Sequence, residues 1–349
     1  MIPTGYVYDS AFLLHTLNGH PENASRLSAI TDYLHTMNLL SFLIPVDFEG
    51  ASHADLSYIH APVYIERIRR LSEVGGGMLG QDTYVTSGTY HAACMAAGSV
   101  IGAVQAVLAG EMRRCFALVR PPGHHASSDH GEGFCLFNNI ALGAAHALGR
   151  LKSKPPIALE RVMIIDWDVH HGNGTESIYY RDPAVLYASI HQSPLYPGTG
   201  SVSDMGTGNG HGYNINVPLP PGTGDLGYRD VVQEIISPAA MKFRPQLILV
   251  SVGYDVHWRD PLAGMLLSLD GITAVMAGLA KLSERLCDNR MVVVLEGGYD
   301  QEVLKYGVYN TFMVLLNNIQ AVRDPIGPDA RREVNIGSAI RQVRQLHGL

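Results

Sequence analysis

Asp166, Asp168 and His170 stand at alternate positions in the segment IIDWDVHHGNG. In extended backbone, alternate side chains point to one face. Two carboxylates and an imidazole on one face begin a divalent metal site; the plainer reading is that they decorate a strand end. Asp255, in SVGYDVHWRDPLAG, follows an apolar run that ends in Gly253. Alone it reads as a turn or helix cap. With Asp168 and His170 it makes a three-ligand set. Catalytic zinc sites keep three protein ligands and an open position, whereas structural sites close all four. Cys is absent from the set, which also points away from a structural site. Two carboxylates and one imidazole would accept iron(II) or cobalt as well as zinc.

Two further segments offer groups that move protons or stabilise charge. RPPGHHASSDHGEGFCLFNN carries adjacent His124 and His125, and imidazole suits acid–base work near neutrality. The pair is weak by itself, because the chain has 16 histidines and His170–His171 is another such pair. Pro121–Pro122–Gly123 would bend the backbone so that both rings aim together. Gly131, Gly133 and Phe134 then give close backbone approach beside an aromatic wall. In VVVLEGGYD, Tyr299 follows two glycines at the end of an apolar run. It is either a core tyrosine packed on the next helix or a phenol that donates a hydrogen bond to a carbonyl oxygen as charge develops there.

Elements must hold these groups. The apolar runs Cys115–Val119, Val162–Ile165, Val185–Ile190, Tyr213–Val217, Leu247–Val252 and Met291–Leu295 predict strands. Gly88–Leu108, Asn138–Leu151, Leu226–Met241 and Leu269–Cys287 predict helices. Buried strands alternating with helices indicate an α/β fold, with a mainly parallel central sheet of about eight strands and helices on both faces. The candidate groups all follow strands, where the ligand crevice of an open parallel sheet lies. The Pro/Gly-rich stretch 193–224 contains one predicted strand and reads as loops, so residues 1–349 are expected to form a single domain.

Of 349 residues, 46% are hydrophobic and only 16% charged, which allows a large core and excludes a disordered chain. The net charge is -7, and the basic clusters at 67–70 and 331–344 read as solvated helix faces, so no nucleic-acid partner is expected. Cys94, Cys115, Cys135 and Cys287 are far apart, giving neither a zinc ribbon nor a disulfide framework and suggesting a reduced cytoplasm. The N-terminal MIPTGYVYDS lacks the pattern of a signal peptide. No apolar run approaches the ~20 residues of a bilayer span, so no membrane partner is expected.

Taken together, RPPGHHA, GFCLFNN, IDWDVHHGNGT, YNINVPLPPG, GYDVHWRDPLAG and LEGGYD resemble the histone deacetylase superfamily, from about His20 in HPENASRL to about Tyr299. HGNGT and LEGGYD are most similar to class II deacetylases and bacterial histone-deacetylase-like amidohydrolases; class I enzymes carry Asp where this chain has Asn173. The resemblance implies the arginase-deacetylase fold and one catalytic zinc on Asp168, His170 and Asp255. It implies that His125 is the general base and then acid, with His124 an electrostatic partner. Asp166 would orient His124, Asn173 would stand behind His125, and Tyr299 would be the catalytic phenol. Gly133 and Phe134 would line an acyl-lysine tunnel. Potassium or sodium would lie near the zinc, held partly by backbone around Asp166, Asp168, His170 and Ser189.

The family's chemistry is hydrolysis of an N-acetyl amide, and the partners it implies are an acetylated lysine peptide or a small acetylated amine. Polyamine-selective relatives carry an acidic residue where this chain has Leu262, which argues for acyl-lysine-like substrates. His257 and Trp258 replace the small residues common at their positions, and the short loop HQSPLYP is expected to bring Tyr196 to the tunnel mouth. A homo-oligomer is compatible with the sequence. A ureohydrolase of the same fold would instead show a D-x-H-x-D pattern and two manganese ions. A non-enzymatic acyl-lysine-binding module would be expected to have lost Tyr299, His125 or a ligand, and all are present.

Overall fold

A computed structural model describes residues 1–349. Its strands are β1 (Thr4–Val7), β2 (Ile44–Pro45), β3 (Gly76–Met78), β4 (Tyr84–Thr86), β5 (Arg114–Ala117), β6 (Val162–Asp166), β7 (Val185–Gln192), β8 (Asn214–Leu219), β9 (Leu247–Val252) and β10 (Met291–Leu295). Eight form one sheet in the order β2-β1-β5-β10-β9-β6-β7-β8, and every pairing in it is parallel. The remaining two, β3 and β4, make an antiparallel hairpin. VMIID, LILVSV and MVVVL are buried at every position, as expected of strands covered on both faces.

The six expected strands are present with ends shifted by a few residues: β5 stops at Ala117 and β8 runs on to Leu219. The helix expected over 138–151 is only Asn139–Ala147. That expected over 226–241 spans Asp225–Phe243 with a π-helical stretch at Val232–Ile236. Helices Thr89–Ala109 and Asn139–Ala147 pack together on one face of the sheet. Ala24–Thr36, Leu269–Cys287 and Gln301–Leu315 cover the other.

One expectation needs correction. Helix Thr89–Ala109, at 21 residues, has the length and apolarity to cross a membrane. Most of that helix is buried inside the protein, because its Ala, Gly and Val side chains pack against the sheet and the neighbouring helix. The basic residues at 331–344 also divide differently from the expectation. Arg331 lies in a loop against Asp329, and only Arg341 and Arg344 belong to helix Gly337–His347.

The strand order decides where the site lies. From β6 the chain proceeds to β7 and β8 on one side, then returns to β9 on the other. The crevice at such a reversal, past the carboxyl ends of the strands, is where ligands enter open α/β sheets. Asp166 is in register with Ser251 and Ser189, and Leu295 with Val252. The residues following β6, β9 and β10 therefore emerge at one level.

Candidate active site

Asp168 and His170 follow β6, and Asp255 follows β9. Their ligating atoms all lie within 4.8 Å of one another. His170 Nδ1 is 3.1 Å from Asp168 Oδ1 and 3.4 Å from Asp255 Oδ2. Both carboxylates are fully buried. Asp255 Oδ2 has no hydrogen-bond donor, although buried polar atoms nearly always have one. Burial and the neighbouring Asp168 push the Asp255 carboxyl up. The His170 imidazole is carried to about 10 by Asp168 and Asp255, against the opposing effect of burial. Gly297 completes the cradle: a Cβ there would collide with the Asp255 and Asp168 carboxylates. An orphaned carboxylate oxygen, a second carboxylate and an imidazole, converging where a positive charge is missing, fit a divalent cation with zinc's ligand preferences.

The tandem histidines come from the loop after β5. Glu296, fully buried just past β10, accepts hydrogen bonds from the backbone N–H of Gly123 (2.7 Å) and His124 (3.2 Å) and from the Ser251 hydroxyl. That carboxylate, not the prolines alone, holds the bend. His124 Nδ1 donates to Asp166 Oδ2 at 3.1 Å, and Tyr187 donates to the same oxygen. Burial opposes the charge on His124, but Asp166 and Asp168 raise it to about 10. His125 differs. Burial, reinforced by His124 and His170, drives it well below its ordinary value, so its ring is neutral. Its Nδ1 is 2.8 Å from Asn173 Oδ1. Adjacent residues thus carry opposite protonation states, the arrangement that separates an electrostatic group from a base.

Gly133 has φ +54°, and a Cβ there would strike the His125 ring. Phe134 meets Tyr299 edge-on at 5.9 Å. Tyr299 sits between Gly298, at φ +110°, and Asp300, which caps helix Gln301–Leu315. Its backbone N–H donates to Asp260, and the Arg26 guanidinium lies 5.0 Å from its ring centre. Burial holds the phenol protonated, well above its usual range. Tyr196 approaches His125 edge-on at 5.2 Å. A pocket of about 230 Å³ is lined by His124, His125, Gly133, Phe134, Asp168, His170, Tyr196, Leu262 and Tyr299 together with Asp82 and Leu195. Asp255 lies beneath it, and Asp166 and Asn173 stand behind the two imidazoles. The candidate ligands, the candidate acid–base and oxyanion groups and the candidate substrate contacts are therefore in or against one cavity, whereas Gly131, His257 and Trp258 do not line it.

His257 and Trp258 stack on each other, and the Trp258 indole donates to the Gly327 carbonyl. They anchor the loop bearing Leu262. A second cluster, His124, Cys135 and Glu296, has ligand-like spacing. Its groups are already engaged, and burial pushes the Cys135 thiol far up, so it is a poor ligand set.

Several supporting residues were not singled out from sequence. Glu22, fully buried, pairs with Arg120 and with Arg26. Arg26 in turn donates to the carbonyls of Glu296 and Gly298, at 2.7 Å each, and so braces the turn before Tyr299. Glu22 and Arg26 stand four apart in HPENASRL, but Glu22 precedes the Asn23 cap of helix Ala24–Thr36, so the fold and not a helix-face spacing brings them together. Glu296 lies inside LEGGYD. Asp82 and Glu132 carry no pattern of their own.

A family model described as "Histone deacetylase domain" matches residues 20–315. The chain is 41% identical over 309 residues to a "Histone deacetylase-like amidohydrolase" of Pseudomonas aeruginosa, covering 88% of this chain and 80% of that one. It is 39% identical over 327 residues to a "Probable deacetylase" of Archaeoglobus fulgidus, covering 92% and 89%. A crystal structure of the HDA15 HD domain superposes with a TM-score of 0.86 at 31% identity, covering 99% of this chain and 94% of that one. With this architecture and these relatives, the chain belongs to the histone deacetylase family.

Proposed function

We propose that the chain is a zinc-dependent amidohydrolase that releases acetate from acetyl-lysine-like amines. The observation that carries this reading is the convergence of Asp168, His170 and an orphaned Asp255 oxygen beneath a pocket that also holds a neutral His125 and a protonated Tyr299. Zinc, when held by Asp168, His170 and Asp255, supplies Lewis acidity toward the amide carbonyl and the attacking water. His125 accepts the water proton at Nε2 and later delivers it to the departing amine nitrogen. Tyr299 donates its hydroxyl hydrogen to the carbonyl oxygen as negative charge builds there. His124, kept cationic by Asp166, stabilises that charge without taking part in proton transfer. Phe134 and Tyr196 face the aliphatic part of an acyl-lysine. A potassium or sodium ion near Asp166 and Ser189 and a reducing cytoplasm belong to the same reading; all four cysteines are free thiols.

Leu262, 38% exposed at the mouth, offers no partner to a distal ammonium. The competing substrate is an acetylated polyamine, which Asp82 in the pocket lining would favour. Acetate release from an acetyl-lysine peptide and from an acetylated polyamine, measured side by side on zinc-loaded protein, separates them. Faster turnover of the peptide is expected. Faster turnover of the polyamine would move the specificity to Asp82, and tight peptide binding without acetate release would point to a binding module.

A further inference from the structure

The candidate base His125 has a support behind Asn173. Glu132 Oε1 accepts a hydrogen bond from Asn173 Nδ2 at 2.6 Å, while Asn173 Oδ1 faces His125 Nδ1 at 2.8 Å. Glu132 opens a tight turn: the Cys135 N–H donates to the Glu132 carbonyl at 2.9 Å, and Gly133 and Phe134 between them have φ of +54° and +69°. Positive φ at both central residues defines a type I′ turn. Asp82 and the Thr83 hydroxyl accept from the N–H groups of Gly133 and Phe134 and tie that turn to the hairpin. One rigid element thus presses Gly133 against the His125 ring and sets Glu132 against the Asn173 amide.

We propose that Glu132 is a positioning residue that selects the tautomer of His125 through the amide of Asn173. This rests on the reading of His125 as the base. A carboxylate only accepts hydrogen bonds, whereas an asparagine amide both donates and accepts. Glu132 therefore holds the Asn173 NH₂ toward itself and the Asn173 oxygen toward His125. An amide oxygen only accepts, so His125 Nδ1 must carry the proton. The lone pair is left on Nε2, the nitrogen free to take a proton from water. Rotating the amide by a half-turn would present NH₂ to Nδ1, move the ring proton to Nε2 and remove the base. Nothing about His125 and Asn173 alone forbids that rotation; the carboxylate does.

The test uses full-length zinc-loaded protein with Glu132→Gln, Asn173→Asp and the double variant. Glutamine both donates and accepts, so Glu132→Gln permits both amide orientations. A lower kcat, by about tenfold, at nearly unchanged KM is expected from loss of one charged acceptor. Asn173→Asp sets two carboxylates against each other and costs more. Adding Glu132→Gln to it restores a donor between them, and the double variant should turn over faster than Asn173→Asp alone. A purely structural role would make the two losses accumulate. Nitrogen-15 spectra of the ring, assigned by loss of the His125 signals in a His125→Ala variant, read the tautomer without reference to turnover. Wild type should show a protonated Nδ1, and Glu132→Gln a mixture. An unchanged tautomer in Glu132→Gln, or a double variant no faster than Asn173→Asp, overturns the proposal. Wild type with protonated Nδ1 but no acetate release would instead sink the deacetylase reading and leave the tautomer assignment standing.

Discussion

Two buried polar regions flank the turn Glu296–Tyr299, and they are balanced in opposite ways. On one side, Glu22 is enclosed by Arg26 and Arg120, and both its oxygens are paired. Those guanidiniums are further satisfied by the carbonyls of Phe12, His15, Glu296 and Gly298. On the other side, Asp166, Asp168, Asp255, Asp260 and Glu296 are all buried, with no Lys or Arg bonded to any of them. They are met by backbone N–H groups, hydroxyls and imidazoles, and Asp255 keeps an oxygen with no donor. The first region is complete as folded and serves as a brace. The second is short of positive charge at the point where a cation would lie. Burial alone does not mark a functional site; uncompensated burial does.

The largest expected effect falls on the incomplete side. Asp255→Ala removes one of the three candidate ligands, and zinc retention after dialysis should fall by well over the ~10–100-fold typical of a residue that merely supports a ligand. Full retention, measured by metal analysis, would reject the ligand set. On the complete side, Arg120→Met leaves Glu22 buried with half its partners. Breaking a buried ion pair from one side costs about 3–5 kcal/mol. Denaturant unfolding should register that loss, while the folded fraction still binds zinc at wild-type stoichiometry. Weakened zinc binding with unchanged stability would reverse the contrast.

The same contrast explains what was legible in the sequence. Asp166, Asp168, His170, Asp255 and Tyr299 stand just past apolar runs, where topology brings them together; spacing suggested a metal site for the first three, whereas Asp255 and Tyr299 took on a role only beside the other motifs. Arg120 is a lone charge, 98 positions from Glu22, and only the packing of the segments that carry them shows that they meet. Strands β1 and β2, of four and two residues, are too short to show a pattern, and Gly5 interrupts the first. The basic cluster at 67–70 does lie on a helix face, as its reading as a solvated face expects, but the bounds of helix Pro62–Glu73 and the pairing of Arg69 and Arg70 with Glu66 come only from the fold. Glu132 acts through an amide, and no spacing rule encodes that.

Tyr299→Phe tests chemistry apart from charge balance. The phenyl ring keeps its place against Phe134 and Arg26, and zinc should be retained. Removing one oxyanion donor typically costs on the order of 10²–10³ in rate. Turnover near that of wild type would remove Tyr299 from the mechanism.

The smallest effect, and the most direct on the contrast, is pH dependence of stability in metal-free protein. Arg120 and Arg26 overcome burial and hold Glu22 down at about 2, against 4.5 for a free glutamate. Its contribution is therefore present above pH 4.5 and is lost as pH falls toward about 2. Glu296 is shifted the other way, to about 7, because burial outweighs the help of His124. Between pH 4.5 and about 7 the unfolded chain has released this proton while the folded chain keeps it, so stability falls as pH rises. The slope from one such group is at most about 1.4 kcal/mol per pH unit. Glu296→Gln cannot ionise, and its amide oxygen can still accept from Gly123. Unfolding midpoints of the two metal-free proteins should converge as pH falls from 7 to 5, with wild type the one that gains. Parallel curves would show that Glu296 is as well compensated as Glu22 and that the two regions do not differ in kind.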